Sequence, residues 1–196
     1  MICMSFGYHK VVGEDLVKRE IDNCLDNDGN KIAVFASASN DGANMPRTYP
    51  GSYDRVLCIH SATGLGAPSA FNPSALSRDL KKDNFCVLGD SVKSTWPSSP
   101  ENRSTYRYMS GTSFATPVAV AIAAFAIGYI RVHLRDFGWN TDPQSPEGVR
   151  ALFNLMAKDN KRDKYDMVFP TAFFNKFDQE TIRMKLVLEL GGYHRG

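Results

Sequence analysis

The feature that most constrains this chain is a glycine, threonine and serine placed directly before a long apolar run. Gly111, Thr112 and Ser113 precede residues 114–130, which are mostly apolar. The run predicts a buried helix, with Ser113 just before it and Pro117 in its first turn, where the missing N–H costs little. The first N–H groups of a helix lack partners within it and carry a partial positive charge. They favour an oxyanion beside Ser113, so the arrangement is typical of a nucleophilic serine.

Two other interpretations of this segment stay open. A serine in front of a helix is often only a capping residue. A membrane span is the second alternative, but it needs about 20 apolar residues. Residues 114–130 fall short of that length, contain Gly128 and are followed by Arg131 and His133. A core helix is therefore favoured, and no membrane partner is predicted.

A strand that leads into an asparagine is the second informative segment. Residues 31–37 are mostly apolar and predict a strand, which Ala38 and Ser39 connect to Asn40 and the turn at 41–42. An asparagine amide at the end of a buried strand is a neutral donor that is positioned before charge develops, as an oxyanion hole requires. Taken alone, the segment favours an ordinary Asn-Asp-Gly turn. Together with the Gly-Thr-Ser segment downstream, it favours an oxyanion donor.

In order and spacing, these segments resemble the subtilisin-like serine proteases (subtilases, peptidase S8 family). Gly-Thr-Ser-x-Ala-x-Pro at 111–117 resembles the family's nucleophile signature, which makes Ser113 the nucleophile and Asn40 the oxyanion donor. The Gly-x-Ser-x-Gly turn of α/β-hydrolases does not fit, because Ala115 stands where the second glycine belongs. The similarity runs from residue 1 to about residue 131. Further matching segments are Tyr49-Pro50, residues 55–59, Phe71-Asn72-Pro73, Val87-Leu88-Gly89 and residues 92–95.

The resemblance also implies where a peptide substrate binds. Residues 1–7 resemble the family strand that ends in Ser-Leu-Gly, which pairs with the substrate as an added strand and forms one side of the S1 pocket. Ser39 stands where the family commonly has glycine, so its side chain is expected to narrow or polarise the pocket. The residues implied are Ser5, Phe6 and Gly7 on one side, with Ser37, Ala38 and Ser39 facing them.

One departure from the family concerns the catalytic base. The subtilase triad follows the order Asp, His, Ser, and in the family the Asp-Thr/Ser-Gly and His-Gly-Thr motifs precede the segment that resembles residues 1–7. Neither motif occurs here. His60, at the end of an apolar strand, is the one substitute base considered, although a partly buried histidine is the ordinary interpretation. His9 is expected in a loop, His133 at the end of the Ser113 helix, His194 in a polar tail, and Asp41 and Asp90 in turns.

A serine hydroxyl is a poor nucleophile until a base removes its proton. The chain is therefore expected to be the C-terminal part of a subtilase catalytic domain, inactive alone, whose Asp and His lie upstream. The alternative is a catalytically inactive module that binds peptides or protein partners.

Composition agrees with one partial domain and limits its partners. The chain has 196 residues, 43% of them hydrophobic, which suffices for a sizeable core. Its 23 basic and 21 acidic residues form no basic cluster, so a nucleic-acid partner is not predicted. The expected partners are a peptide or protein substrate and other domains of a longer parent chain. No metal or cofactor is predicted; the resemblance allows calcium but identifies no site. Free thiols are expected at Cys3, Cys24, Cys58 and Cys86, which leans towards an intracellular compartment.

The residue pattern predicts a subtilisin-like three-layer α/β fold with a mostly parallel sheet, incomplete at its N-terminal side. A strand at 1–6, a helix at 14–26, a turn at 27–30 and a strand at 31–37 form a βαβ unit. A third strand covers 55–60, residues 61–84 are loop-like, and 85–95 hold short strands. The exposed apolar edge at 1–6 is expected to make the isolated chain aggregate or be marginally stable. The face of the first helix comprises Val17, Ile21, Cys24 and Leu25.

Residues 1–196 are predicted to form a single partial catalytic domain, with 1–131 matching the family core and 142–196 forming a helical C-terminal extension. One helix begins at the Ser145 cap and runs to about Lys158. A charged loop follows to Lys164. Asp178 caps a last helix that reaches about Leu190, which packs on the domain or, as the alternative, binds a partner.

Overall fold

A computed structural model describes residues 1–9, 14–27, 32–42, 44–76, 83–98, 105–157 and 161–194. The predictions for the turn at 28–30, for Lys31 and for Lys158 lie outside these residues. The helices are α1 (Glu14–Asn27), α2 (Thr112–His133), α3 (Pro146–Ala157), α4 (Pro170–Phe174) and α5 (Gln179–Leu190). The strands are β1 (Ile2–Met4), β2 (Val34–Ser37), β3 (Leu57–Ala62), β4 (Phe85–Leu88), β5 (Val92–Thr95), β6 (Tyr106–Met109), β7 (Phe137–Trp139), β8 (Lys161–Arg162), β9 (Tyr165–Met167) and β10 (Gly192–His194).

The central sheet has the strand order β1-β2-β3-β4-β9-β8. The first five strands are parallel to their neighbours, and β8 runs antiparallel to β9. Helices cover both faces, so the predicted three-layer α/β fold with a mostly parallel sheet is confirmed. The β1-α1-β2 unit, the third strand and the short strands within 85–95 are confirmed as well, with ends shifted by up to a few residues.

The side chains of β2 alternate between the two faces of the sheet, and each set packs on a different helical layer. Val34 and Ala36 point to one face, where they pack with Ile21 and Leu25 of α1. Phe35 points to the other face, where it joins a larger core shared with α2, α3 and α5. The α2 side of that core is built largely from small residues, which let the helix lie close to the sheet: Ala115, Ala119, Ala123 and Ala126.

The start of α2 differs from the sequence prediction. The helix begins at Thr112, so Ser113 is its second residue and lies inside the first turn rather than before the helix. Pro117 consequently falls in the second turn, not the first, where it cannot donate to the carbonyl of Ser113, four residues earlier. The Thr116 hydroxyl donates to the Thr112 carbonyl at 2.8 Å and supplies one side-chain bond in this turn.

The C-terminal region contains strands that the sequence analysis missed. The predicted helices are present as α3, whose Ser145 hydroxyl accepts from Gly148 N–H at 3.0 Å, and α5, which Asp178 caps by accepting from Thr181 N–H at 2.8 Å. Between them, β8 lies within the segment predicted as a charged loop, and β9 pairs with β4 in the sheet. Residues 142–196 are therefore not purely helical, and they supply two strands to the central sheet.

Candidate active site

The carboxyl ends of β1 and β2 lie side by side, since Met4 pairs with Ala36 in parallel register. The segments that follow these strands therefore start at the same edge of the sheet, which is where sites form in parallel sheets. Gly111, at the start of α2, comes within reach of the same edge, because a β-carbon added to it would lie 3.2 Å from Asn40 Nδ2. The structure thus brings Asn40 next to the residues that precede Ser113.

Asn40 is held by the first residue of α2. The Thr112 N–H donates to Asn40 Oδ1 at 2.8 Å, and the Thr112 hydroxyl donates to the same oxygen at 3.1 Å. Thr112 is buried, and its hydroxyl also lies 3.3 Å from the Ser39 carbonyl. With Oδ1 occupied as the acceptor, Nδ2 has no acceptor among the described residues and is available as a donor.

The first turn of α2 leaves one backbone donor unused. Thr112 N–H donates to Asn40, while Phe114 and Ala115 N–H both donate to the Gly111 carbonyl, at 3.0 and 3.2 Å. Within the described part of the chain, the N–H of Ser113 has no acceptor. A free backbone N–H beside the Ser113 hydroxyl, together with Asn40 Nδ2, supplies two donors at the positive end of a 22-residue helix.

Contacts with β4 and the loop after it fix the start of α2. Gly111 N–H donates to the Gly89 carbonyl at 2.9 Å, and Ser110 Oγ donates to Asp90 at 2.6 Å. A β-carbon on Gly89 would lie 2.7 Å from the β-carbon of Ala115 and 2.9 Å from the Gly111 carbonyl. Only glycine lets α2 approach this closely. Asp90, predicted in a turn, therefore holds Ser110, just before α2.

The two segments that the family resemblance implies as walls of the substrate pocket differ in their exposure to solvent. Phe6 is 50% exposed and Gly7 is exposed, whereas Ser37, Ala38 and Ser39 are buried. The N–H of Ala38 donates to Ile59, and its carbonyl accepts from Thr48 N–H. Residues 5–7 are therefore the accessible wall, while 37–39 form a buried one whose backbone is already partly paired.

Ser39 adopts a backbone conformation that L residues rarely take. Its φ is 147°, a value that favours glycine. Its hydroxyl donates to Asp41 Oδ2 at 2.5 Å and accepts from the Asp41 N–H at 3.1 Å. The strain therefore accompanies a local bond that glycine could not make.

His9 joins this group from the opposite wall, with its Nε2 2.8 Å from Asp41 Oδ2. The Ser39 hydrogen bond, followed by the His9 bond, lowers the pKa of the Asp41 carboxyl. This contact joins residues 32 positions apart and was not predicted from the sequence. The available signal was that both residues follow neighbouring parallel strands.

The structure shows that His60 is not a substitute base for Ser113. Leu57 and Ile59 of β3 belong to the α2 side of the sheet. Because side chains alternate, His60 points to the other side, where its ring meets Tyr165 edge-on. It is fully buried, its Nδ1 lies 3.1 Å from the Phe85 carbonyl, and burial lowers its pKa to about 3. It cannot accept the Ser113 proton from there.

His133 and His194 lie elsewhere in the fold. His133 ends α2 as predicted, about 30 Å along the helix from Ser113. His194, predicted in a polar tail, instead lies in β10 with its ring 4.3 Å from that of Phe137. Within the residues described here, no cluster of three or more His, Cys, Asp or Glu side chains is arranged to hold a metal ion.

Comparison with known proteins yields consistent matches. A family model described as the subtilase family (peptidase S8) matches residues 1–168. A curated relative, "Subtilisin-like protease het-Q2" of Podospora anserina, is 30% identical over 132 residues, which are 66% of this chain and 34% of that protein. The chain thus spans about a third of this relative's length.

Solved structures share the fold at 18 to 20% identity. The prenylagaramide maturation protease PagA superposes with a TM-score of 0.64, covering 96% of this chain and 61% of its own. A cold-adapted subtilisin-like serine proteinase gives 0.60 at 19% identity, with 85% and 53% covered. The patellamide maturation protease PatA gives 0.63 at 18% identity, with 98% and 63% covered. Nearly all of this chain therefore corresponds to somewhat more than half of each neighbour.

Proposed function

This chain belongs to the subtilase family, and on that premise we propose that it is the C-terminal part of a serine endopeptidase domain in which Ser113 is the nucleophile. The observation that carries the proposal is the pair of unused donors at the start of α2. Thr112 occupies Asn40 Oδ1, which leaves Asn40 Nδ2 and the Ser113 N–H available.

In the proposed reaction, Ser113 Oγ attacks the carbonyl carbon of the scissile peptide and its proton passes to a base. The carbonyl oxygen becomes an oxyanion, which accepts hydrogen bonds from Asn40 Nδ2 and the Ser113 N–H. Collapse of the intermediate breaks the C–N bond, the amine leaves with the proton, and water then hydrolyses the acyl-enzyme. Because the donors are fixed beforehand, they stabilise the charge without reorganising.

The base and its orienting carboxylate are proposed to come from upstream sequence. The motifs that carry them in the family do not occur in residues 1–196. His60 and His133 lie away from Ser113, and His9 is bonded to Asp41. Residues 5–7 and 37–39 are proposed to line the pocket for the residue on the acyl side of the bond. Ser39, with its hydroxyl on Asp41, would make that pocket smaller and more polar than a glycine would.

A second candidate is a catalytically inactive module that binds peptides or protein partners. The missing triad motifs favour it, since binding needs the exposed wall at 5–7 but no base. One experiment distinguishes the two functions. It uses the native polypeptide, which contains residues 1–196 and any residues that its transcript encodes before Met1.

That experiment is labelling with a fluorophosphonate probe, which reacts only with an activated serine. The endopeptidase proposal expects labelling that Ser113→Ala abolishes and that Ser94→Ala, a matched change on an exposed strand, leaves intact. Residues 1–196 alone should not react. An unlabelled but folded native polypeptide that still binds fluorescent peptides would refute the endopeptidase in favour of the binding module.

A further inference from the structure

The hairpin of β5 and β6 leads directly into the start of α2 and is exposed on both faces. Among the described residues its two strands pair only with each other, from Val92 with Met109 to Thr95 with Tyr106. Six of the eight side chains on these strands are exposed, and the other two, at the base, are half-buried. An isolated two-stranded hairpin is marginally stable in water. The hairpin is therefore an exposed ribbon whose side chains are accessible to a partner.

One face of this ribbon combines a cation with two aromatic rings. Cross-strand partners share a face, so the pairs Lys93–Tyr108 and Thr95–Tyr106 bring these side chains together. The Lys93 ammonium nitrogen lies 5.0 Å from the centroid of the Tyr106 ring, which holds the cation on the ribbon. Tyr106 is 55% exposed and Tyr108 is 65% exposed. We define this set as the Lys93 face: Lys93, Thr95, Tyr106 and Tyr108.

The opposite face of the ribbon carries a similar cation in a different position. The guanidinium carbon of Arg107 lies 5.0 Å from the centroid of the Trp96 ring. The base of this face consists of the half-buried Val92 and Met109, so it turns towards the body of the domain. Arg107 thus matches Lys93 in charge and in its aromatic contact, but it does not belong to the fully exposed face.

The Lys93 face has the chemistry to bind a carboxylate. The sequences of β5 (VKST) and β6 (YRYM) contain two cations and no carboxylate. Asp90, just before β5, accepts hydrogen bonds from the hydroxyls of Ser91 and Ser110, at 3.2 and 2.6 Å. An ammonium group and phenol hydroxyls donate to carboxylate oxygens, and exposed tyrosine rings pack on a peptide at a low entropic cost. The face therefore fits an acidic peptide segment.

The position of the ribbon selects one part of a peptide substrate. The proposed pocket walls follow β1 and β2, whereas the ribbon begins after β4, where Gly111 N–H donates to the Gly89 carbonyl at 2.9 Å. In the strand order β1-β2-β3-β4, the ribbon lies beyond Asn40 as seen from the wall at 5–7. β2 and β4 are two strand spacings apart, about 10 Å. A peptide whose acyl side lies between the walls therefore runs towards the ribbon after the scissile bond. At about 3.3 Å per residue, it reaches the Lys93 face about three to five residues beyond that bond.

We propose that the Lys93 face binds an acidic segment of the protein substrate on the leaving-group side of the scissile bond. Lys93 pairs with a glutamate or aspartate side chain, and Tyr106 and Tyr108 pack on the peptide beside it. The inference rests on the proposed function and adds a substrate class to it: polypeptides with acidic residues about three to five positions after the cleaved bond. Because the ion pair is exposed to solvent, added salt weakens the binding.

The test measures binding to the native polypeptide with Ser113→Ala, which does not turn over the peptide. The probes are two fluorescein-labelled peptide pools, followed by fluorescence anisotropy. Both pools have mixed residues in their first half, and their second half is rich in glutamate in one pool and in glutamine in the other. The variants are Lys93→Gln, Lys93→Arg, which keeps the charge, and Arg107→Gln as the matched control on the opposite face. In parallel, the form with Ser113 intact cleaves a mixed-residue peptide library, and mass spectrometry identifies the residues on each side of the cleaved bonds.

We expect the glutamate pool to bind about two- to fivefold more tightly than the glutamine pool, the range for one exposed ion pair. Lys93→Gln should abolish this difference, Lys93→Arg should keep most of it, and Arg107→Gln should leave it unchanged. In the library, glutamate and aspartate should be enriched after the cleaved bond.

Equal binding of the two pools overturns the proposal. Equal losses in Lys93→Gln and Arg107→Gln also overturn it, because they would show attraction by net charge rather than by one face. Acidic residues enriched only before the cleaved bond would place the contact on the wrong side. Binding of a single-stranded oligothymidylate that displaces the glutamate pool and is lost in Lys93→Gln would assign the face to a nucleic acid instead.

Failure of this inference is distinguishable from failure of the proposed function. Fluorophosphonate labelling of Ser113 without a preference for the glutamate pool keeps the endopeptidase and removes the acidic-segment site. A preference that depends on Lys93, without labelling of Ser113, removes the endopeptidase and assigns the Lys93 face to the peptide-binding module.

Discussion

The two sides of α2 carry similar small and apolar residues but have different surroundings. Ala123, on the inner side, is fully buried against the sheet, whereas its neighbour Ala124 is exposed. At the start of the helix, contacts to Asn40, Gly89 and Asp90 fix the first turn. The outer side is packed less completely: Phe125 meets Phe174 edge-on, with ring centroids 5.1 Å apart, yet remains 55% exposed.

This difference shows which contacts residues 1–196 make among themselves. The inner side of α2 packs on the sheet, α3 and α5, and its start is held by the residues that follow β2 and β4, so contacts within residues 1–196 bring the start of α2 to Asn40. Under the proposed function, oxyanion stabilisation is thus built into this part of the domain, whereas the base for proton transfer comes from upstream sequence.

The largest expected effect separates the two roles of Asn40, which accepts hydrogen bonds from Thr112 and is proposed to donate one to the oxyanion. Asn40→Asp keeps an oxygen for Thr112 to donate to, and a carboxylate suits a helix N-terminus, but it replaces the Nδ2 donor. In subtilisin, loss of such a donor lowers turnover about 10²–10³-fold, and we adopt that magnitude for peptide hydrolysis by the native polypeptide. Thermal stability should change by no more than about 0.5 kcal/mol.

Asn40→Ala is the control, because it removes both the acceptor for Thr112 and the donor. It should lose turnover to a similar extent and also destabilise the fold by about 1 kcal/mol, the usual value of a lost hydrogen bond. Equal turnover in wild type and Asn40→Asp would remove Asn40 from the oxyanion site.

A smaller effect tests the contrast between the sides of α2 directly. Ala123→Leu adds three carbons to a packed core and should destabilise residues 1–196 by about 1–3 kcal/mol. Ala124→Leu, one residue on, adds the same atoms to an exposed position and should stay within about 0.5 kcal/mol. Urea denaturation followed by far-UV circular dichroism measures both. Similar losses for the two variants would show that the outer side is already packed.

Local patterns predicted the elements whose signals are contained in one segment. The apolar run after Gly111 marked α2, and cap residues marked α3 at Ser145 and α5 at Asp178. The strand β9 was missed because Tyr165–Met167 is short and contains an aspartate, so only pairing with the distant β4 reveals it. The burial difference between Ala123 and Ala124 was equally invisible, because it depends on which side faces the sheet.

The candidate site, like the fold, was predicted only in part. Gly-Thr-Ser and the strand-end asparagine made Ser113 and Asn40 the candidates, and the structure adds a contact between the two segments: Thr112 donates to Asn40 Oδ1. Pro117 was predicted in the first turn but lies in the second, because the helix begins at Thr112, directly after Gly111, rather than after Ser113. The His9–Asp41 contact depends on strand register, which no local pattern encodes.

The smallest expected effect concerns the pKa of Asp41, the residue that follows Asn40. Hydrogen bonds from Ser39 and then His9 lower its carboxyl pKa below the ordinary value of 3.8. A lowered native pKa means that the ionised contact stabilises the fold above the unfolded pKa and is lost as pH falls through the native pKa. Since Ser39 is the larger cause, Ser39→Gly should raise the Asp41 pKa more than His9→Gln does. Carbon-13 NMR titration of the Asp41 carboxyl measures this order; a larger rise in His9→Gln would make the bond across the two walls the dominant one and the strained Ser39 conformation incidental to it.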